Sequence, residues 1–191
     1  MNVFLDFEAS SLAKHGYPIE VGWVFEDGRE RSCLIRPPVE WSDWDPAAEA
    51  IHGIRRETLI SDGEEVAAVA ARMVDELGGH ALHASAPSWD GKWLSALLRA
   101  GGLPRHALRL RDTEDAQRDS ARAVLDGRVP QAEVESLAGE AVALAEVRSR
   151  EQPPAHRALA DARAERARWM LVREIAGELA ARRSANTDVR S

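Results

Sequence analysis

Cysteine is all but absent from this chain: Cys33 stands alone. One thiol excludes an internal disulfide and a thiolate zinc site, since each needs several. Long apolar runs are missing too, and nothing approaches the roughly 20 residues of a membrane helix. No membrane is therefore expected as a partner. The first strand-like stretch starts almost at Met1, so no secretory leader is expected and the cytoplasm is the expected compartment. Basic residues are outnumbered, 25 Lys+Arg against 32 Asp+Glu, for a net charge of -7. That balance disfavours strong non-specific nucleic-acid binding unless some acids hold cations, which invert the local field. The cations that exist are almost all arginine, suited to bidentate phosphate contacts.

What remains is an ordinary globular composition, 45% hydrophobic and 30% charged over 191 residues. It predicts a single domain over residues 1–183 and a frayed, flexible tail over 184–191. Strands are predicted over 2–9, 19–25 and 31–36, with Asp27-Gly28 as the hairpin turn and Pro37-Pro38 as the stop. A short helix runs from Pro46 to His52, ended near Gly53. Val66, Val69, Ala70, Met73, Val74 and Leu77 recur at helical spacing up to Gly78-Gly79. A fourth strand over 81–86 leads into Trp89-Asp90-Gly91 and a helical stripe of Trp93, Leu94, Leu97 and Leu98. A fifth strand is predicted over 107–110. The chain is then helical over 114–147, broken near Gly127 to Pro130, halted at Pro153-Pro154, and helical again over 157–181. Alternating strands and helices predict an α/β fold, a mixed sheet with helices packed on it.

Acids interrupt this pattern where apolar residues belong. Asp6 and Glu8 are two apart on a strand, so both side chains leave one face. Each needs a cationic partner, a raised pKa or a bound ion. Pairing with arginine would explain them equally well. Asp90 opens a helix, where an N-cap is the simpler account. Asp161 falls near the start of the last helix, where it suits the dipole or a pair with Arg157. His156 precedes it by five residues. Trp23, Trp93 and Trp169 lie on apolar stripes as core residues. Trp41 and Trp44 fall in a loop that covers the sheet edge or lines a substrate path. The arginines of the last helix, Arg163, Arg166 and Arg168, read as a solvated face.

Together the motifs resemble one family. Phe4-Leu5-Asp6-Phe7-Glu8-Ala9-Ser10 resembles the first motif of the DEDD exonucleases, and Ser88-Trp89-Asp90-Gly91 resembles the second. His156-Arg157-Ala158-Leu159-Ala160-Asp161-Ala162 is similar to the third in its histidine form, the DEDDh (DnaQ-like) family of 3′-5′ exonucleases. Tyr17-Pro18-Ile19-Glu20-Val21-Gly22 is similar to that family's second strand, and Ile51-His52-Gly53-Ile54 to its His-Gly-Ile element. The motifs come in order and cover Val3 to about Arg168. Two positions depart from the pattern: Ala86 stands where many members carry asparagine, and Trp89 where phenylalanine is usual.

The resemblance implies a ribonuclease H-like fold with a five-stranded mixed sheet. It implies Asp6, Glu8, Asp90 and Asp161 as ligands of two Mg²⁺ or Mn²⁺ ions, hard cations that favour oxygen. It implies His156 as the general base for hydrolysis of the terminal phosphodiester of single-stranded DNA or RNA 3′ ends. Ser10, Ser11 and Leu12 would hold the terminal nucleotide beside His52. Trp89 would stack on a base, although packing against the core beside Asp90 is the commoner role for so large a ring. Oligoribonuclease-like degradation of RNA or short oligonucleotides is an alternative within the class. A non-catalytic binding module is the alternative outside it, and a homodimer is one assembly the resemblance allows.

Overall fold

The structure is a computed structural model and describes residues 1–149 and 155–188, with side chains as far as residue 185. The chain forms two compact units, Met1–Asp112 with Pro154–Ala164, and Thr113–Pro153 with Glu165–Ser191.

The first unit is built on a meander. β1 (Asn2–Ala9) pairs antiparallel with β2 (Pro18–Phe25), and β2 with β3 (Glu30–Arg36). Gly28 makes the β2–β3 turn at φ 94°, a left-handed conformation that glycine adopts without steric cost. Two short helices follow, α1 (Pro46–His52) and α2 (Arg56–Asp62), then β4 (Glu64–Glu65) and α3 (Val66–Leu77). β5 (Ala81–Ala84), α4 (Pro87–Ala100) and β6 (Leu110–Asp112) complete the unit's sheet and its cover. The strand order is β4-β3-β2-β1-β5-β6, with β5 parallel to β1, β6 parallel to β5 and β4 parallel to β3.

The sheet has six strands, one more than expected. The sixth is β4, whose two residues pair with Ile35 and Arg36 at the sheet edge and are too short to show any alternation. α2 is not foreshadowed in the sequence: its N-cap Arg55 makes no side-chain cap bond to announce it. The last strand falls later than the sequence predicts. Ala107 N–H turns back to the Pro104 carbonyl, so ladder pairing starts only at Leu110.

Alternation along β1 decides the rest. Val3, Leu5 and Phe7 point to the main core, with Val21, Trp23 and Phe25 of β2. Onto them pack the apolar stripes of α3 (Val69, Met73, Leu77) and α4 (Trp93, Leu97, Leu98). Each such side chain contributes roughly 1.5–3 kcal/mol on burial. Phe4, Asp6 and Glu8 face the opposite way, opposite Val24, Gly22 and Glu20 in the ladder. That second face receives the start of the last helix, α7 (Ala158–Asp188).

The second unit holds α5 (Thr113–Leu125), α6 (Val134–Ser149) and most of α7. Its core is lined with small residues, Ala121, Ala138, Ala141, Ala145 and Ala176, together with Leu125, Leu137, Val172 and Ile175. α7 runs as a helix to Asp188, beyond the predicted end near Ala181 and into the stretch expected to fray; residues 189–191 lie outside the described residues. The predicted stop at Pro153-Pro154 also lies outside them. Among the described residues, no helix is long and apolar enough to cross a membrane.

Candidate metal centre

Gly22 sets the position of the site. A Cβ there would come 2.3 Å from the Leu159 amide nitrogen and 2.6 Å from the Ala158 carbonyl carbon. Only a residue without a side chain lets the first turn of α7 lie this close to β2. Gly22 is the ladder partner of Asp6, so the close approach brings α7 down over the two strand acids. One ligand oxygen each from Asp6, Glu8 and Asp161 then lies within 4.8 Å of the others. Among the described residues, no other group of histidine, cysteine or acidic side chains converges in this way.

Electrostatics follows from that crowding. The Glu8 carboxyl is pushed up to about 7, first by burial and then by the charges of Asp161 and Glu20, with Asp90 adding to them; Arg157 opposes the shift. Asp90 lies outside the close group of three. It sits in the first turn of α4, buried at 4% exposure, and its charge still reaches Glu8. It is not the helix cap: that position belongs to Ala86, which makes no side-chain cap bond where an asparagine could accept one.

Arg157 does not pair with Asp161, as the sequence suggested. Its guanidinium grips Glu20, Nη2 to Oε1 at 2.7 Å and Nε to Oε2 at 3.1 Å. The Ala158 amide donates to the same carboxylate at 3.0 Å, and Ser32 Oγ donates to it at 3.3 Å. Glu20 is only 1% exposed and lies across the ladder from Glu8. Two facing carboxylates repel, and Arg157 resolves the conflict by neutralising Glu20 while Glu8 stays with the acidic group. The sequence places Glu20 inside the Tyr17–Gly22 stretch without marking it for a role. The available signal was a third acid in a strand otherwise fully buried.

Asp161 instead accepts the Ala155 amide at 3.0 Å, folding the chain before α7 back over the carboxylate. His156 follows Ala155 directly. It is exposed, and its φ of 51° is the one left-handed backbone among described non-glycine residues. Such conformations cost energy and concentrate at functional positions.

The expected substrate contacts divide. Ser10 and Ser11 are buried and hold the loop after β1 together: Ser10 Oγ accepts the Tyr17 amide, and Ser11 Oγ donates to Asp43. Leu12 points outward at 69% exposure. His52 is buried, its Nδ1 accepts the Ile54 amide at 3.0 Å, and burial lowers its pKa. In that neutral tautomer Nε2 carries the proton, and among the described residues it has no acceptor. Trp89 is not a core residue: it stands 43% exposed at the head of α4, stacked on buried Trp93 with centroids 6.1 Å apart. Trp41 stacks on Tyr17, and Trp44 donates to Glu49 while meeting His52 edge-on. Both close the loop that follows β3.

The donors suit a hard divalent cation. All three are carboxylate oxygens, none is a thiolate or imidazole, and the potential around Glu8 is one that a cation would relieve. No family model matches the sequence, and no curated protein matches it. Solved structures do. Escherichia coli exonuclease I, in its zinc-bound complex with single-stranded DNA, is similar at 20% identity and TM-score 0.64, over 91% of this chain and 40% of that one. The same enzyme with a dT13 oligonucleotide is similar at 18% identity and TM-score 0.65, over 93% and 42%. With a dA16 oligonucleotide the values are 19%, 0.65, 94% and 42%. The fold is ribonuclease H-like. The present chain spans about two fifths of the exonuclease I chains it matches. Within that fold, the acidic group lies on β1 and on the start of α7.

Proposed function

We propose that this chain is a metal-dependent 3′-5′ exonuclease that removes nucleoside 5′-monophosphates from single-stranded nucleic acid. The observation that carries the reading is the convergence of Asp6, Glu8 and Asp161 on one 4.8 Å group, with Asp90 buried nearby. The fold shared with exonuclease I, whose structures hold single-stranded DNA, supports it.

Asp6, Glu8, Asp90 and Asp161 would hold two Mg²⁺ or Mn²⁺ ions. Such ions supply positive charge against the phosphate and its leaving oxygen when bound. His156 would take the proton from the attacking water, an assignment that its exposure and its place beside the Ala155–Asp161 contact permit. Glu20 and Arg157 hold the first turn of α7, and with it Asp161. Leu12 is the solvent-facing residue of the loop that would meet the terminal nucleotide, with Ser10 and Ser11 shaping it. His52 would offer its Nε2 proton and Trp89 its exposed face. The exonuclease domain is taken as residues 1–183, with 184–191 as its tail.

The test is stepwise shortening of a 5′-labelled single strand, with release of mononucleotides from a 3′-labelled one, in Mg²⁺ or Mn²⁺ on a panel of DNA, RNA and dinucleotides. Asp6→Ala should abolish release, and His156→Ala should slow it by about 10²-fold or more. Protein that degrades no member of the panel with either metal would end the proposal.

A further inference from the structure

The net charge of -7 hides a segregation. From Pro87 to Arg111 the chain carries five cations, Lys92, Arg99, Arg105, Arg109 and Arg111, against one acid, Asp90. The rest of the chain is therefore more acidic still. Elsewhere in the first unit several arginines are matched to acids, among them Arg31 to Glu76, Arg36 to Glu65, Arg72 to Glu64 and Arg163 to Glu30. The segment after α4 behaves otherwise. Among the described residues, neither Arg105 nor Arg109 has a carboxylate within ion-pair distance, and both are exposed. Arg105 makes one side-chain bond, from Nε to His106 Nε2 at 2.9 Å, which fixes the fork and leaves its outer N–H groups open.

These groups share a cavity. Arg105, His106 and Arg109 face the Gly91, Leu94 and Ser95 flank of α4 across an open space of about 460 Å³ that no acidic side chain lines. Gly91 and Leu94 are one and four residues after Asp90, so the cavity adjoins the helix turn that carries the second-motif acid. A Cβ on Gly91 would meet nothing within 4 Å. At the head of the same helix Trp89 shows an exposed ring, with Lys92 Nζ 5.3 Å from its centre. Unpaired guanidinium forks beside the helix turn that carries Asp90 suit a strand that offers phosphates.

We propose that the connection from α4 to β6, through Arg105 and Arg109, is a docking surface for the phosphate backbone of a single strand. The claim that this strand's end is then cut rests on the exonuclease reading; the claim of binding does not. Segregating the cations here explains how an acidic protein can take a polyanion: the excess of acids lies outside this segment, and unpaired positive charge is concentrated next to the turn that carries Asp90.

Binding of a fluorescein-labelled 16-nucleotide poly(dT) strand to the full chain, followed by anisotropy in EDTA across 25–200 mM salt, tests it. The double variant Arg105→Ala/Arg109→Ala should weaken binding about tenfold or more at low salt. It should also flatten the plot of log affinity against log salt by about 0.7 per guanidinium removed. Arg109→Glu should weaken it further, and Arg29→Ala, whose arginine is paired with Asp27, should change nothing. Circular dichroism checks that each variant is folded, and the exposed positions permit these changes. Wild-type affinity and slope in the double variant, or no strand binding by the parent chain, would overturn the proposal; in the second case an acidic protein partner would be the better fit. Salt-dependent binding lost in the double variant, with no cleavage by the parent chain in Mn²⁺, would sink the exonuclease reading and leave the docking surface standing.

Discussion

At Glu20 three kinds of donor converge on one buried carboxylate: a guanidinium, a backbone amide and a hydroxyl. The two partners of this ion pair are not equivalent, because Glu20 is buried and Arg157 is half-exposed. Removing the arginine strands a charge in the interior, whereas removing the acid returns an arginine to water. Arg157→Ala should therefore destabilise more than Glu20→Gln, the latter costing about 2–3 kcal/mol. Urea midpoints of the two single variants and the double variant check this, and equal costs would refute the asymmetry. Glu8 makes a second residue-scale prediction. Its carboxyl titrates at about 7 in the folded chain against an ordinary 4.5, so the native state binds more protons than the unfolded one between those values. In EDTA, stability from this group is complete below pH 4.5 and is lost as pH rises to 7. Glu8→Gln should flatten that fall, which thermal melts over pH 4–8 would reveal.

The elements matter here through one close approach. α7 reaches the strand acids because β2 offers no Cβ at Gly22, and the Glu20 carboxylate, two residues before it, caps and pins the helix's first turn. Gly22→Ala should cost roughly 1–3 kcal/mol, since the obstacle is helix backbone that cannot rotate aside. It should also move Asp161 away from Asp6 and Glu8. Manganese affinity, measured by calorimetry, should fall more than stability does; a variant that binds manganese as the parent does would show that the helix does not depend on the glycine. Much of this was legible in the chain. The D-x-E spacing and strand period put Asp6 and Glu8 on one face, and the apolar stripes of α3 and α4 located their buried sides. β4 and α2 were not legible, because two residues at a sheet edge and an uncapped turn leave no periodic trace. Trp89, for a related reason, is exposed where its size suggests core: its neighbour Trp93 takes the buried position one turn later, and a sequence does not say which of two tryptophans a core has room for.

On the scale of the whole molecule, three acids gathered in one place, with Asp90 buried nearby, are a source of instability that a cation removes. Mn²⁺ at about 100 times its dissociation constant should stabilise the folded chain by about 2.7 kcal/mol. For a chain of this size that corresponds to a rise in melting temperature of roughly 5–10 °C. The rise should be larger at pH 8 than at pH 5.5, where Glu8 holds a proton that the metal must displace. Asp6→Ala should abolish it. Scanning calorimetry in EDTA and in Mn²⁺ at both pH values decides, and a melting point indifferent to metal would count against a resident cation.

The sequence by itself determined most local facts: where the longer strands and helices lie, which faces are apolar, and which acids interrupt them. Those follow from periodicity and from the intrinsic preferences of each residue, and neither depends on distant contacts. Which charges ended up as partners was decided only by the tertiary structure. Arg157 had Asp161 four residues away and took Glu20, 137 residues distant, instead. A buried carboxylate gains far more from a counter-ion than an accessible one does, and burial is a property that only the assembled sheet and helix create.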